Sequence, residues 1–145
     1  MKKIFILFLF GFLVLSCSKN DDKLTRNPYL PDPVVNLKLN LNLPEYNPLK
    51  FPGNYVITPQ GVKGIVVYCA SESMYLAFDL TDPNHPPNEC SRMEINGIIA
   101  SCPCENDENE YNIVNLGRHI KEPDTKYPMQ QYRAERNGNN IIISN

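Results

Sequence analysis

Between Val35 and Leu43 apolar and polar residues alternate one for one, with Val35, Leu37, Leu39, Leu41 and Leu43 set against Asn36, Lys38, Asn40 and Asn42. A period of two sends successive side chains to opposite faces of an extended chain, so the segment predicts a half-buried β-strand. Shorter runs rich in branched and aromatic residues predict further strands over 54–58, 64–69, 74–79, 92–95 and 98–102. Asn96-Gly97 separates the last two of these, and Asn137-Gly138 separates 130–136 from 141–144. Both dipeptides readily adopt the left-handed backbone of a tight hairpin turn.

Helix has little room in this pattern. Thirteen prolines are spread along the 145 residues, and each removes a backbone donor and crowds the preceding turn. The one candidate is 110–120, where Ile113, Leu116 and Ile120 are spaced about as on a helix, but Gly117 inside it weakens that reading. The expectation is an all-β antiparallel domain, small and loop-rich, over 33–145.

The amino end differs in kind. Lys2 and Lys3 precede an apolar run from Ile4 to Leu15, and Val14-Leu15-Ser16-Cys17 follows as a small-residue cleavage site ending in cysteine. The run is about half of the roughly twenty residues that span a bilayer. It resembles the signal peptide of bacterial lipoproteins over 1–16. That resemblance implies that Cys17 is lipidated and becomes the first residue of the mature chain. The membrane is then a partner through covalent lipid, and more than one acyl chain makes such anchoring stable. Residues 17–32, rich in Asn, Asp, Lys and Pro, bury too little apolar surface to offset ordering and read as a flexible tether. Within them Ser18-Lys19-Asn20-Asp21-Asp22-Lys23 resembles the acidic run that sends some lipoproteins to the outer surface, or is a solvated spacer. The expected location is the bacterial cell envelope, at the outer membrane, on its periplasmic face or the cell surface.

Loss of Lys2 and Lys3 takes the fourteen basic residues to twelve against sixteen acidic ones, a net charge of −4. Arg133 and Arg136 are interrupted by Glu135, and a phosphate backbone needs a concentrated positive face. Nucleic acid is therefore excluded as a partner.

Besides Cys17 the chain has Cys69, Cys90, Cys102 and Cys104, an even number that an exported protein uses for one or two disulfides. Three pairings are open, and Cys102 with Cys104 closes an uncomfortably tight loop. No Gly-x-Ser-x-Gly elbow and no calcium loop of the Asp-x-Asp-x-Asp-Gly type occurs. The acidic run 105–110 reads as a solvated loop, the tyrosines at strand positions as packing, and His119 as a surface residue. No catalytic residue is expected.

Ser101-Cys102-Pro103-Cys104-Glu105 resembles the second cluster-binding box of Rieske iron-sulfur domains, Cys-Pro-Cys-His-Gly, with Glu105 at the histidine position and Asn106 at the glycine. The first box, Cys-x-His, falls on Asp82 and Asn84. Tyr111, Gly117, Pro123 and Met129-Gln130-Gln131-Tyr132 follow in the family's order, so the likeness extends over about two-thirds of the chain. It implies a Rieske-like β-sandwich or barrel with two loops at the former cluster site. Former ligand positions are then Asp82, Asn84, Cys102 and Glu105, and of the two thiolates and two imidazoles such a centre needs, only Cys102 is kept. The resemblance also implies a disulfide between Cys90 and Cys104, tying the loops together. The expected function is a non-enzymatic binding or structural module without cofactor. The alternative is an electron carrier holding a 2Fe–2S cluster, or a module holding zinc, through His85, Cys90, Cys102 and Cys104. Against that set stand the Cys-x-Cys spacing, where zinc sites favour Cys-x2-Cys, and the reading of His85 as an exposed loop residue between prolines.

Overall fold

A computed structural model describes residues 27–145, so Cys17, the signal segment and the first part of the tether lie outside the described residues. Among the described residues all ten strands pair antiparallel. A six-stranded sheet runs in the order β1 (Asn36–Asn40), β10 (Asn140–Ser144), β9 (Gln131–Asn137), β4 (Tyr75–Asp79), β3 (Ile65–Cys69), β2 (Tyr55–Thr58). A four-stranded sheet is formed by β5 (Glu94–Asn96), β6 (Ile99–Ser101), β7 (Glu110–Asn112) and β8 (Arg118–His119). Single 3-10 segments cover Pro44–Lys50 and Ile113–Asn115. Among the described residues no helix is long and apolar enough to cross a membrane. This is the small antiparallel all-β arrangement with two loops at one tip that the sequence resemblance implies.

β3 and β4 form the central wall, and every residue in both is buried. Their alternate faces serve different cores. Ile65, Val67, Cys69, Tyr75 and Ala77 point to one cluster with Leu39, Leu41, Leu49, Tyr132, Ile141 and Ile143. Val66, Tyr68, Leu76 and Phe78 point to a second, with Leu80, Met93, Ala100, Tyr111, Ile113 and Met129. Burial on both faces explains why 64–69 is a continuous apolar run, whereas β1 alternates: one face of it stays wet.

Both predicted hairpins form, each shifted by one residue: Asn137 pairs with Asn140 and Asn96 with Ile99, so Gly138-Asn139 and Gly97-Ile98 make the turns and the preceding strands end one residue later than predicted. The ambiguous segment 110–120 is not a helix. Leu116 and Gly117 both take positive φ, 56° and 67°, which ends the 3-10 turn and starts β8. A Cβ at Gly117 would stand 2.8 Å from the Met129 Cβ and 2.9 Å from the Phe78 ring, so glycine is required twice over.

The tip of the wall is fixed by a buried carboxylate. Asp79, at the end of β4, is fully buried and accepts from Val62 N (2.6 Å), Thr81 N (2.9 Å), Thr81 Oγ1 (2.6 Å) and Tyr132 Oη (3.0 Å). These donors belong to the β2–β3 turn, the loop after β4, and β9. At the other end of the described chain Asn27 donates to the Pro83 carbonyl at 2.7 Å, and Asp32 accepts from Gln130 and Asn145, so residues from the segment read as tether rest on the domain.

Asp79→Ala strands several buried donors at once, and such a loss costs about 3 kcal/mol. We expect that drop in unfolding free energy from a urea titration; an unchanged midpoint would refute the role given to Asp79.

Candidate functional site

Two loops meet at the tip. The first runs from the end of β4 to β5 and carries Asp82, Asn84, His85 and Cys90; the second joins β6 to β7 and carries Cys102, Cys104, Asp107 and Asn109. The first is held to its own stem by Asp82 N donating to Ser91 O (2.9 Å) and Met93 N to Leu80 O (2.7 Å). The second is held by Cys102 N donating to Asn109 O (3.0 Å). A disulfide between Cys90 and Cys104 joins the loops, in the pairing the resemblance implies. Across a sequence separation of 14, such a bridge contributes about 3 kcal/mol by restricting the unfolded chain.

Asp82 is fully buried, which for an ionised carboxylate requires hydrogen bonds to replace water. Its Oδ1 accepts from Asn84 N and from Tyr111 Oη, each at 2.8 Å, and its Oδ2 accepts from Asn109 Nδ2 at 3.1 Å. The last two donors come from the second loop and from β7, so the carboxylate is a second tie between the loops. A polar chain extends from it. Glu122 N donates to His119 Nδ1 (2.9 Å), which fixes the ring as the Nε2–H form, and His119 Nε2 donates to Asn109 Oδ1 (3.2 Å). The His119 ring stands edge-on to Tyr111 at 5.3 Å. His119 is 4% exposed. It is therefore not the surface residue expected from sequence, because it lies on β8 facing the loop junction. Burial holds its pKa below the ordinary imidazole range, and Lys126 pushes the same way.

Asn84 turns away from the junction. Its Nδ2 donates to Tyr127 O (2.9 Å) and Tyr111 Oη (2.8 Å), and its Oδ1 accepts from Tyr127 N (2.9 Å). The amide thus docks the segment before β9 as a strand would. Its neighbour His85 faces the junction instead, half-buried rather than the exposed loop residue expected. Its Nε2 lies 3.2 Å from Asp107 Oδ2, 3.5 Å from Cys102 Sγ and 3.8 Å from Asp82 Oδ2. Cys102 is buried, and burial pushes its thiol up to about 12, with Asp82 adding to the rise against an opposing backbone hydrogen bond from Cys104. Glu105 is exposed and makes no hydrogen bond among the described residues.

The structure therefore brings together Asp82, His85, Cys102 and Asp107, whose donor atoms all lie within 4.8 Å of one another. Asn84 and Glu105, two of the four positions carried over from the family pattern, do not take part. The structure also brings His85, Cys102 and Cys104 of the alternative set within 4.8 Å of one another, but the set as a whole needs correction. Cys90 and Cys104 are bonded to each other, so neither offers a thiolate. Asp107 and Asn109 were missed because they sit in an acidic run that reads as solvated. The usable signal was Asp107-x-Asn109-x-Tyr111, a period of two leading into β7 that puts three polar groups on one face.

These residues do not fit a 2Fe–2S centre. It needs two thiolates and two imidazoles, whereas the positions offer one thiol, two carboxylates and an amide.

No family model and no curated protein matches the chain. Among solved structures it is similar to a chain from the complex of reduced oxygenase and oxidized ferredoxin in carbazole 1,9a-dioxygenase, with 17% identity over 76% of this chain and 93% of that one, TM-score 0.48. It is also similar to a chain described as a nitrite reductase NADPH small-subunit oxidoreductase protein, with 15% identity over 77% and 99%, TM-score 0.46.

Alkylation under denaturing, non-reducing conditions should label Cys69 and Cys102 alone among the described cysteines, read by peptide mass; labelling of Cys90 or Cys104 would break the disulfide assignment. The His119 ring binds a proton less readily folded than unfolded, so as pH falls through about 6.5 the unfolded chain takes up more protons and stability declines. Above that value the contribution is complete. Thermal midpoints should fall between about pH 7 and pH 5, with a shallower slope in His119→Gln; identical slopes would show that the ring is not buried neutral.

Proposed function

We propose that this chain is a lipid-anchored envelope protein of Rieske-like fold whose two-loop tip has given up the 2Fe–2S centre and serves as a non-enzymatic binding or structural module. The observation that carries the reading is the Asp82 carboxylate. It stands where the resemblance puts the first thiolate ligand, and it is buried and hydrogen-bonded to Asn84, Asn109 and Tyr111. An iron–sulfur centre takes a soft thiolate at that position, and a carboxylate is a hard oxygen donor. Here the position has become part of the frame that ties one loop to the other. The disulfide supports the same reading, because it holds the loops together without a metal and belongs to an oxidising compartment. Anchoring through Cys17, with residues 17–32 as the tether, rests on the signal-like pattern of residues 1–17, and the module is proposed to sit at the outer membrane, on its periplasmic face or the cell surface.

The test is metal and sulfide analysis of the full chain, extracted from membranes in detergent without oxygen. Iron and acid-labile sulfide should both be far below one per chain, with no visible absorption that dithionite bleaches. Near-stoichiometric iron and sulfide with a reddish-brown spectrum would overturn the reading. In the same cells Cys17→Ser should move the protein out of the membrane fraction, and retention there would remove the lipid anchor from the proposal.

A further inference from the structure

We infer that Asp82, His85, Cys102 and Asp107 form a closed four-ligand site for a single divalent ion of the zinc class. The inference rests on the reading that no 2Fe–2S centre occupies the tip, and it names what the tip binds instead.

The donor set is drawn evenly from the two loops, Asp82 and His85 from the first and Cys102 and Asp107 from the second. One nitrogen, one sulfur and two carboxylate oxygens lie mutually within 4.8 Å. Zinc bond lengths of about 2.0 to 2.3 Å in a tetrahedron put neighbouring ligand atoms roughly 3.3 to 3.7 Å apart. The separations from His85 Nε2 are 3.2, 3.5 and 3.8 Å and every pair lies within 4.8 Å, so the imidazole already stands near tetrahedral spacing from the other three and closure around an ion draws those three together.

The imidazole is already prepared for this role. Its Nδ1 lies 2.9 Å from the Pro86 carbonyl, an acceptor only, so Nδ1 carries the proton and Nε2 faces the other three donors. A histidine that ligates a metal typically gives its second ring N–H to a carbonyl or carboxylate, which fixes the tautomer and the ring plane. Asp82 is oriented in the same way by Asn109 and Tyr111. Its Oδ2 takes one hydrogen bond, from Asn109, and keeps a lone pair toward His85. Asp107 is set by its own turn, in which Oδ1 accepts from Asn109 N at 2.9 Å while Oδ2 is the atom nearest His85.

Charge points to a cation and donor type to its class. Two carboxylates converge on one ring nitrogen beside a buried sulfur, which concentrates negative charge at the loop junction. Calcium and magnesium prefer six or more oxygens. A set with imidazole and thiol sulfur selects zinc and its neighbours. Four protein ligands leave no open position, so the ion's role is to clamp the loops rather than to activate water.

The experiment is a cobalt titration of the full chain, purified in detergent, stripped with chelator and kept non-reducing so that Cys90–Cys104 stays intact. One cobalt per chain should bind, giving the visible bands of a tetrahedral ion and a near-ultraviolet thiolate-to-cobalt band, both abolished by a slight excess of zinc. Cys102→Ser should remove the near-ultraviolet band, and Cys69→Ser, at the other free thiol, should leave it intact. His85→Ala and Asp107→Asn should each weaken binding at least about tenfold; both sit at partly solvated positions, and circular dichroism checks that they fold. No cobalt spectrum, or a thiolate band that survives Cys102→Ser, would overturn the site. That outcome leaves the proposed function standing, whereas iron with acid-labile sulfide at the same loops would overturn both.

Discussion

The tip of this protein depends on two carboxyl groups held out of water. Asp79 and Asp82 are both fully buried, and their oxygens are stable there only where fixed donors replace hydration. Because those donors lie on the β2–β3 turn, on β7, on β9 and on both tip loops, satisfying the two groups dictates where each of those segments sits. Moving any one of them would leave a carboxylate short of partners. The junction is therefore specified by electrostatics in a region where apolar packing has little to say.

The same requirement holds the two tip loops against each other. Here the Cys90–Cys104 bridge makes one covalent tie, and the hydrogen bonds of Asn109 and Tyr111 to Asp82 make a second, non-covalent one. His119 backs Asn109 from behind and in turn receives the Glu122 amide. The loop junction is thus part of a continuous polar seam, roofed on one side by the second apolar core.

Much of the scaffold was legible from residue type. The alternation over 35–43, the branched runs at 64–69 and 74–79, and the Asn137-Gly138 turn all carry their reasons locally. The segment 110–120 was not, because helical spacing of Ile113, Leu116 and Ile120 competes with two successive left-handed residues, and Leu116 gives no sign in sequence of adopting that conformation. At the site, the family pattern located both loops and the disulfide partners. It could not say that Asn84 would turn to Tyr127 and hand its place to His85, since that choice is made by a backbone forty-three residues away. His119 was misjudged for a similar reason: Asn109 and Tyr111, which meet its ring, become neighbours only once β7 and β8 pair.

The large sheet is closed by its two most distant strands in sequence, with Asn36 of β1 opposite Ser144 of β10. During synthesis the ribosome releases β1 well before its partner, so this edge of the sheet stays unzipped while the eight strands between them emerge. Contacts between such remote segments bring a late entropic cost and slow folding. A nascent chain of this topology keeps β1 without its partner until β10 arrives, and their pairing seals the edge of the sheet.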